Sequence, residues 1–144
     1  DRVLADCVWE RFSHDILLRS IKDLLSRSKD ARIYMVAGLH TGRSTLVHFF
    51  RHALAIGLCL VPVPPADVWP TCTQETTALP GSEHIMELEV GGTWDEHETP
   101  YLTGQRRPFL LHRGSPDQED EPIQVRNHWL TVSCMAWAAT EATP

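Results

Sequence analysis

Apolar and polar positions recur along the chain with two different periods, and the switches between them mark the elements. Arg2 to Val8 (Arg-Val-Leu-Ala-Asp-Cys-Val) is a short apolar run that acquires a carboxylate at Asp6, the pattern of a buried strand reaching its end. From Ser13 the period lengthens. Leu17, Leu18, Ile21, Leu24 and Leu25 recur at three- and four-residue steps, with Asp15, Arg19, Lys22, Asp23 and Ser26 on the opposite face. Ser13 is placed to cap this helix, and Asp15 lies in its first turn, where negative charge is favoured. Ala31 to Ala37 is β-rich and ends at Gly38. A second amphipathic helix is predicted from Arg43 to Ile56, with Leu46, Val47, Phe50, Ala53 and Leu54 inward and Gly57 as its stop.

Strand, helix, strand and helix with short connections predict a right-handed crossover and a parallel sheet. Beyond Gly57 the pattern breaks. Leu58 to Val63 can begin a third strand, but Pro62, Pro64, Pro65, Pro70 and Pro80 make the following stretch irregular. His84 to Val90 alternates as a strand does, and Gly91-Gly92 ends it. Residues 95–125 are acidic and proline-interrupted, with Asp117, Glu119, Asp120 and Glu121 gathered before Pro122. Trp129 to Trp137 is the last predicted strand. The two late strands, joined by a long loop, predict an antiparallel hairpin closing a mostly parallel sheet, so the fold class is α/β. No segment repeats.

Charge changes this picture by being unevenly divided. The total is −6, from 13 Lys and Arg against 19 Asp and Glu, which argues against a nucleic-acid-coating protein with a basic face. Residues 1–57 carry nine basic and six acidic side chains, whereas 58–144 carry four and thirteen. With 42% apolar and 22% charged residues the chain can bury a core. Its longest nearly apolar run, Ala53 to Val63, is too short for a spanning helix, which needs roughly 20 residues, so no membrane partner is expected. Cys7, Cys59, Cys72 and Cys134 form no CxxC pair and point to reduced thiols in a cytoplasmic protein. The chain opens at Asp1, at the threshold of a strand and without an initiator Met, so the start of the domain is expected to lie upstream.

The sharpest local motif is Gly38-Leu39-His40-Thr41-Gly42-Arg43-Ser44-Thr45, placed after a strand and opening a helix, the context of a phosphate-binding loop. Its glycines are one residue too close for GxxxxGK[ST], and Arg43 stands where the lysine belongs. It reads better as a strand-to-helix turn, with Gly42 at a special backbone angle and Thr41 as the cap. His48 and His52 stand four apart without the Glu of HExxH and read as solvated surface histidines rather than metal ligands. Cys134 reads as a small core residue, and nothing near Cys7 would activate a thiolate. What remains is Asp6 with Trp9. In open α/β sheets ligands sit beyond the carboxyl ends of the parallel strands, where a carboxylate beside an aromatic ring suits a cationic or amine-bearing ligand. The alternative is that Asp6 caps a turn and Trp9 packs on the core.

Leu4-Ala5-Asp6-Cys7-Val8-Trp9, His14-Asp15-Ile16-Leu17-Leu18-Arg19-Ser20-Ile21, and Ala37-Gly38-Leu39-His40-Thr41-Gly42-Arg43 with Phe49-Phe50 together resemble the C-terminal half of fungal class I S-adenosylmethionine-dependent methyltransferases. The resemblance is to the nicotinamide N-methyltransferase-like group within the lysine methyltransferase-like family. Arg126-Asn127-His128-Trp129-Leu130-Thr131-Val132 is similar to that group's final strand, a basic pair followed by Trp. It implies that Arg2–Val8 and Arg32–Ala37 are the fourth and fifth strands of a seven-stranded Rossmann-like sheet, and His84–Val90 and Trp129–Trp137 its last two. It also implies a disordered insertion at 62–83.

By the same resemblance Ala5 and Asp6 lie beside the methyl donor, S-adenosyl-L-methionine, and Asp6 to Trp9 matches an Asp-x-x-Tyr signature with Trp in place of Tyr. Asp6 and Trp9 are then the catalytic candidates. The family's glycine-rich first motif and ribose-binding acidic residue would lie before Asp1, leaving residues 1–144 about half of the cofactor site. The implied activity is methyl transfer to a protein lysine or N-terminal amine, with acidic loops at 95–125 attracting a basic segment. The alternatives are a nicotinamide-type small-molecule acceptor, a P-loop-like nucleotide-binding domain, or an inactive remnant.

Overall fold

A computed structural model describes residues 1–64, 79–92, 99–139 and 141–142. Most of the insertion expected at 62–83, and Cys72 with it, lies outside these residues. The elements in order are β1 (Arg2–Ala5), a 3-10 turn (Arg11–Ser13), α1 (His14–Leu24), β2 (Ile33–Gly38), α2 (Arg43–Ala55) and β3 (Leu58–Val61). A second 3-10 turn (Ser82–His84), β4 (Met86–Gly91), β5 (Tyr101–Pro108), α3 (Ile123–Arg126) and β6 (Trp129–Trp137) follow.

The strands form one mixed six-stranded sheet, in the order β1-β2-β6-β4-β5. β1 and β2 pair in parallel, from Arg2 opposite Ile33 to Ala5 opposite Val36. The last strand, β6, enters antiparallel beside β2. Along its other edge it takes two partners end to end: β4 opposite residues 129–132 and β3 opposite residues 134–137. The two late strands therefore do pair antiparallel. They are not a simple hairpin, because β5, within the stretch expected to be irregular, intervenes in sequence and pairs with β4. β1, β2, β3 and β4 all run the same way, yet β1–β2 is the one parallel pairing among the described residues, because β6 separates β2 from the rest. This corrects the expectation of a mostly parallel sheet.

Both helices cover one face. Ile33, Met35 and Ala37 alternate inward from β2 onto Leu18 and Ile21 of α1 and Leu46, Phe49, Phe50 and Ala53 of α2, with Leu58, Leu60, Met135 and Trp137 completing the core. Leu17 is half-buried and Leu24 exposed, so α1 presents a narrower apolar stripe than its sequence predicts; His14 is buried in it instead. Ser13 makes no capping bond, and its hydroxyl donates to Glu10 Oε2 at 3.2 Å. Cys134 is buried, and burial raises its thiol pKa, as a core cysteine requires. No helix among the described residues is long and apolar enough to cross a membrane.

Phe49 stands at the centre of this packing, fully buried, edge-on to His14 at 5.3 Å and to Phe50 at 5.9 Å between ring centroids. Phe49→Ala removes a buried ring from a site enclosed by both helices and is expected to cost about 3–5 kcal/mol in urea unfolding.

Candidate functional site

β1 stops at Ala5 rather than Val8 because Asp6 takes a left-handed backbone, φ 51°, while its N–H still donates to Val36 O at 2.8 Å. Asp is one of the few non-glycine residues that adopts this conformation readily. The turn places Ala5 and Asp6 on a cavity of about 320 Å³ at the carboxyl ends of β1 and β2, with Gly38 at the end of β2, His40 after it, Arg126 at the end of α3 and Trp129 at the start of β6. A Cβ on Gly38 would stand 3.0 Å from His40 Nδ1, so glycine there lets the imidazole approach, while Asp6 Oδ1 at 3.9 Å would be in ordinary contact. Arg126 is held by the backbone, donating to the carbonyls of Leu39 at 2.9 Å, His40 at 3.0 Å and Glu121 at 2.9 Å. Trp9 is 50% exposed and does not line this cavity, nor does it pack in the core. Of the sequence-derived candidates, Ala5 and Asp6 come together here and Trp9 does not join them.

At the start of α2 the phosphate-loop comparison is resolved by the chain itself. Gly42, at φ 91°, does set the turn, but Thr41 does not cap the helix. The first helical N–H, that of Arg43, donates to Asp120 Oδ2 at 2.7 Å, so a carboxylate of the chain fills the place where a phosphate would sit. The Arg43 side chain, 1% exposed, turns inward to Asp120 Oδ1, to Glu87 Oε1 at 2.5 Å and to Glu121 Oε1 at 3.0 Å. Arg107 reaches the same Glu87 oxygen at 2.9 Å and pairs with Glu121, while Arg113 Nε lies 3.5 Å from Glu87 Oε2, close enough for ion pairing without hydrogen-bond alignment. Three guanidinium groups thus meet three carboxylates. Burial works against the charge on Arg43, but Glu87 and Asp120 outweigh it and raise its pKa. Asp120 and Glu121, expected to attract a basic partner, are spent within the fold.

The histidines of α2 also differ from expectation. His48 is half-buried, and its Nδ1 lies 2.8 Å from Nδ1 of His14, which is wholly buried and bonded through Nε2 to Val8 O at 2.7 Å. His52 stacks on His48 at 4.1 Å and bonds Asp15 at 3.2 Å. Among the described residues no group of three or more His, Cys, Asp and Glu is arranged to hold a metal ion.

Sequence reasoning missed the roles of Arg43, Glu87 and Arg107. The available signal was Glu87 itself, a lone carboxylate within Ile85-Met86-Glu87-Leu88, since a charge in an apolar strand requires a partner. No protein-family model, curated protein or solved structure matches the chain.

Two outcomes follow from the network. Glu87→Leu removes the wholly buried acceptor shared by Arg43 and Arg107, leaving them Glu121 and, for Arg43, Asp120, and is expected to cost about 3 kcal/mol; adding Arg43→Met should restore part of that loss in the same urea titration. Glu121 governs the pH dependence. Burial opposes its ionisation, but hydrogen bonds and charge from Arg107 and Arg43 prevail and hold its carboxyl below the usual glutamate range. Because the folded carboxyl binds its proton less tightly than the unfolded one, the stabilisation is complete above the unfolded value and is lost as pH falls through the folded one. The urea midpoint should decline below about pH 5, and less steeply in Glu121→Gln.

Proposed function

We propose that residues 1–144 carry the acceptor side of an S-adenosylmethionine-dependent N-methyltransferase, acting on a lysine or N-terminal amine of a protein. The observation that supports this most is the placement of Asp6: a carboxylate held at φ 51° on the carboxyl ends of two adjacent parallel strands, in a cavity it shares with Trp129 and His40. The residue resemblance supplies the reaction class. The donor set suits the charged end of such a cofactor and an amine, since Asp6 offers a carboxylate while Ala5, Leu39 and Leu130 offer apolar walls that a methyl group tolerates. At about 320 Å³ the cavity lies at the low end for a ligand site, enough for the sulfonium and the amine rather than for a whole cofactor.

S-adenosylmethionine, when bound, supplies an electrophilic methyl group for in-line displacement by nitrogen. The chain's own work is positioning. Asp6 attracts the acceptor as an ammonium ion and, once that ion has released one proton to solvent, accepts a hydrogen bond from an N–H of the neutral amine, directing its lone pair. The apolar walls exclude water from the reacting atoms. Arg126, tied to three backbone carbonyls, joins the loops after β2 and before β6, so the cavity keeps its shape without side-chain entropy being lost on binding. Against the nucleotide-binding alternative, the Asp120 carboxylate occupies the helix N-terminus and takes up the Arg43 side chain as well.

The test is methyl transfer by the full-length protein from labelled S-adenosylmethionine to a lysine peptide, a peptide with a free N-terminal amine, and nicotinamide. Asp6→Asn keeps a residue that tolerates the left-handed turn and removes the charge. It should lower the rate by about one to two powers of ten, the worth of a hydrogen bond to a charged partner made in the transition state. Lys22→Ala, on exposed α1, should leave it unchanged. Transfer to none of the three amines overturns the proposal, and transfer to nicotinamide alone moves the acceptor to the small-molecule class.

A further inference from the structure

A second cavity, of about 590 Å³, lies along the outer side of α2, away from the rim. Ser44, His48 and Arg51 line it from successive turns of the helix, Arg11 from the 3-10 turn before α1, and His112 and Glu119 from the loop after β5. Its charge is unlike the rest of an acidic chain. Arg43, Arg107 and Arg113 are each paired with carboxylates, whereas neither Arg11 nor Arg51 has a carboxylate partner among the described residues. Arg11 Nη2 donates to Ser44 Oγ at 2.9 Å, which fixes one guanidinium at the cavity wall. Glu119 is the one acidic group in the lining, against two guanidinium groups and three imidazoles. Val47 and Leu111 form an apolar wall beside them.

We propose that this cavity is a binding site for a small organic phosphate monoester, held by Arg11 and Arg51 with its organic portion against Val47 and Leu111. Guanidinium forks bind phosphate oxygens in pairs, and neither Arg11 nor Arg51 has a carboxylate among the described residues that an incoming anion would have to displace. The volume is ordinary for a small-ligand site, and the apolar wall favours an ester over a bare ion. This site is independent of the methyltransferase reading, since it shares no residue with the rim cavity.

The histidines add a dependence on pH. Val8 O can only accept, so His14 Nε2 carries a proton, and in the neutral ring Nδ1 of His14 accepts from Nδ1–H of His48. The atom of His48 left to titrate is therefore Nε2. His48 is faced by His14 and Asp15 of α1, by Arg11, and by its helix neighbour His52, while Arg51, His112 and Glu119 share its cavity. Burial first, and then His52, His14 and Arg11, hold its pKa below the usual histidine value, with Asp15 opposing them. An anion in the cavity places a negative charge beside His48 and draws a proton onto its Nε2, so binding tightens as pH falls.

Calorimetric titration of the full-length protein with phenyl phosphate and inorganic phosphate at low ionic strength tests the site. Inorganic sulfate, whose charge is constant across the range, tests the pH dependence. Phenyl phosphate should bind more tightly than phosphate, and sulfate more tightly at about pH 6 than at about pH 8. Arg51→Gln should weaken phenyl phosphate binding about ten-fold and Glu119→Gln should strengthen it, both with unchanged unfolding midpoints. No heat at millimolar phenyl phosphate, or an affinity that neither variant moves, overturns the proposal. Sulfate binding that is equal at both pH values overturns the role of His48.

Discussion

The pairing of Arg43 with Glu87 is the constraint around which the second half of the chain is arranged. Both side chains are removed from water, at 1% and 0% exposure, and an ion pair so placed needs further charged partners around it; Arg43 Nε and Glu87 Oε2 alone of the pair make no hydrogen bond. Arg43 therefore recruits Asp120 and Glu121, and Glu87 recruits Arg107 and Arg113, from segments far apart in sequence. The result is a balanced set of charges that fastens the start of α2, β4, β5 and the loop before α3 to one point. Arginine is required, because a lysine's single ammonium has no planar fork to bridge three carboxylates from two separate segments.

How far the sequence reveals this depends on the range of the interaction. β2, both long helices and β6 are visible because each buries apolar positions against a neighbour, whereas β1 shows as an apolar run although only Leu4 in it is even half-buried. β5 is invisible for the opposite reason: Tyr101 to Arg106 is exposed on both faces, so no alternation of apolar residues marks it. The Gly38–Thr45 turn shows the same limit more sharply. A glycine turn opening a helix looks alike whether its anion arrives with a ligand or from the chain. That the anion is Asp120, 77 residues away, is a fact of tertiary structure. Asp6 was readable as a strand end with a charge, whereas Trp9 was not placeable, because an aromatic residue in a loop carries no periodicity to say which way it faces.

The two cavities are shaped by the same network from different sides. Asp120 and Glu121 are its anchors, and Glu119, one residue earlier, lines the basic cavity with Leu111 and His112. On the other side Glu121 O accepts from Arg126, which lines the rim cavity. The loop between β5 and α3 thus lines the basic cavity directly and reaches the rim cavity only through Arg126, which Glu121 O holds.

The position of β6 has a kinetic consequence. It follows every other strand in sequence yet lies in the middle of the sheet, bonded to β2 on one edge and to β3 and β4 on the other. Ile33 meets Met135 across roughly a hundred positions of chain, so the contacts that close the sheet carry the largest loop-closure cost. A growing polypeptide reaches β6 only after β1 to β5 have been made, and until then β2, β3 and β4 each lack their central neighbour. Folding of this domain waits on its last strand. In that interval the unpaired edges, rather than any weakness of the finished core, are where the nascent chain is most exposed to misassociation.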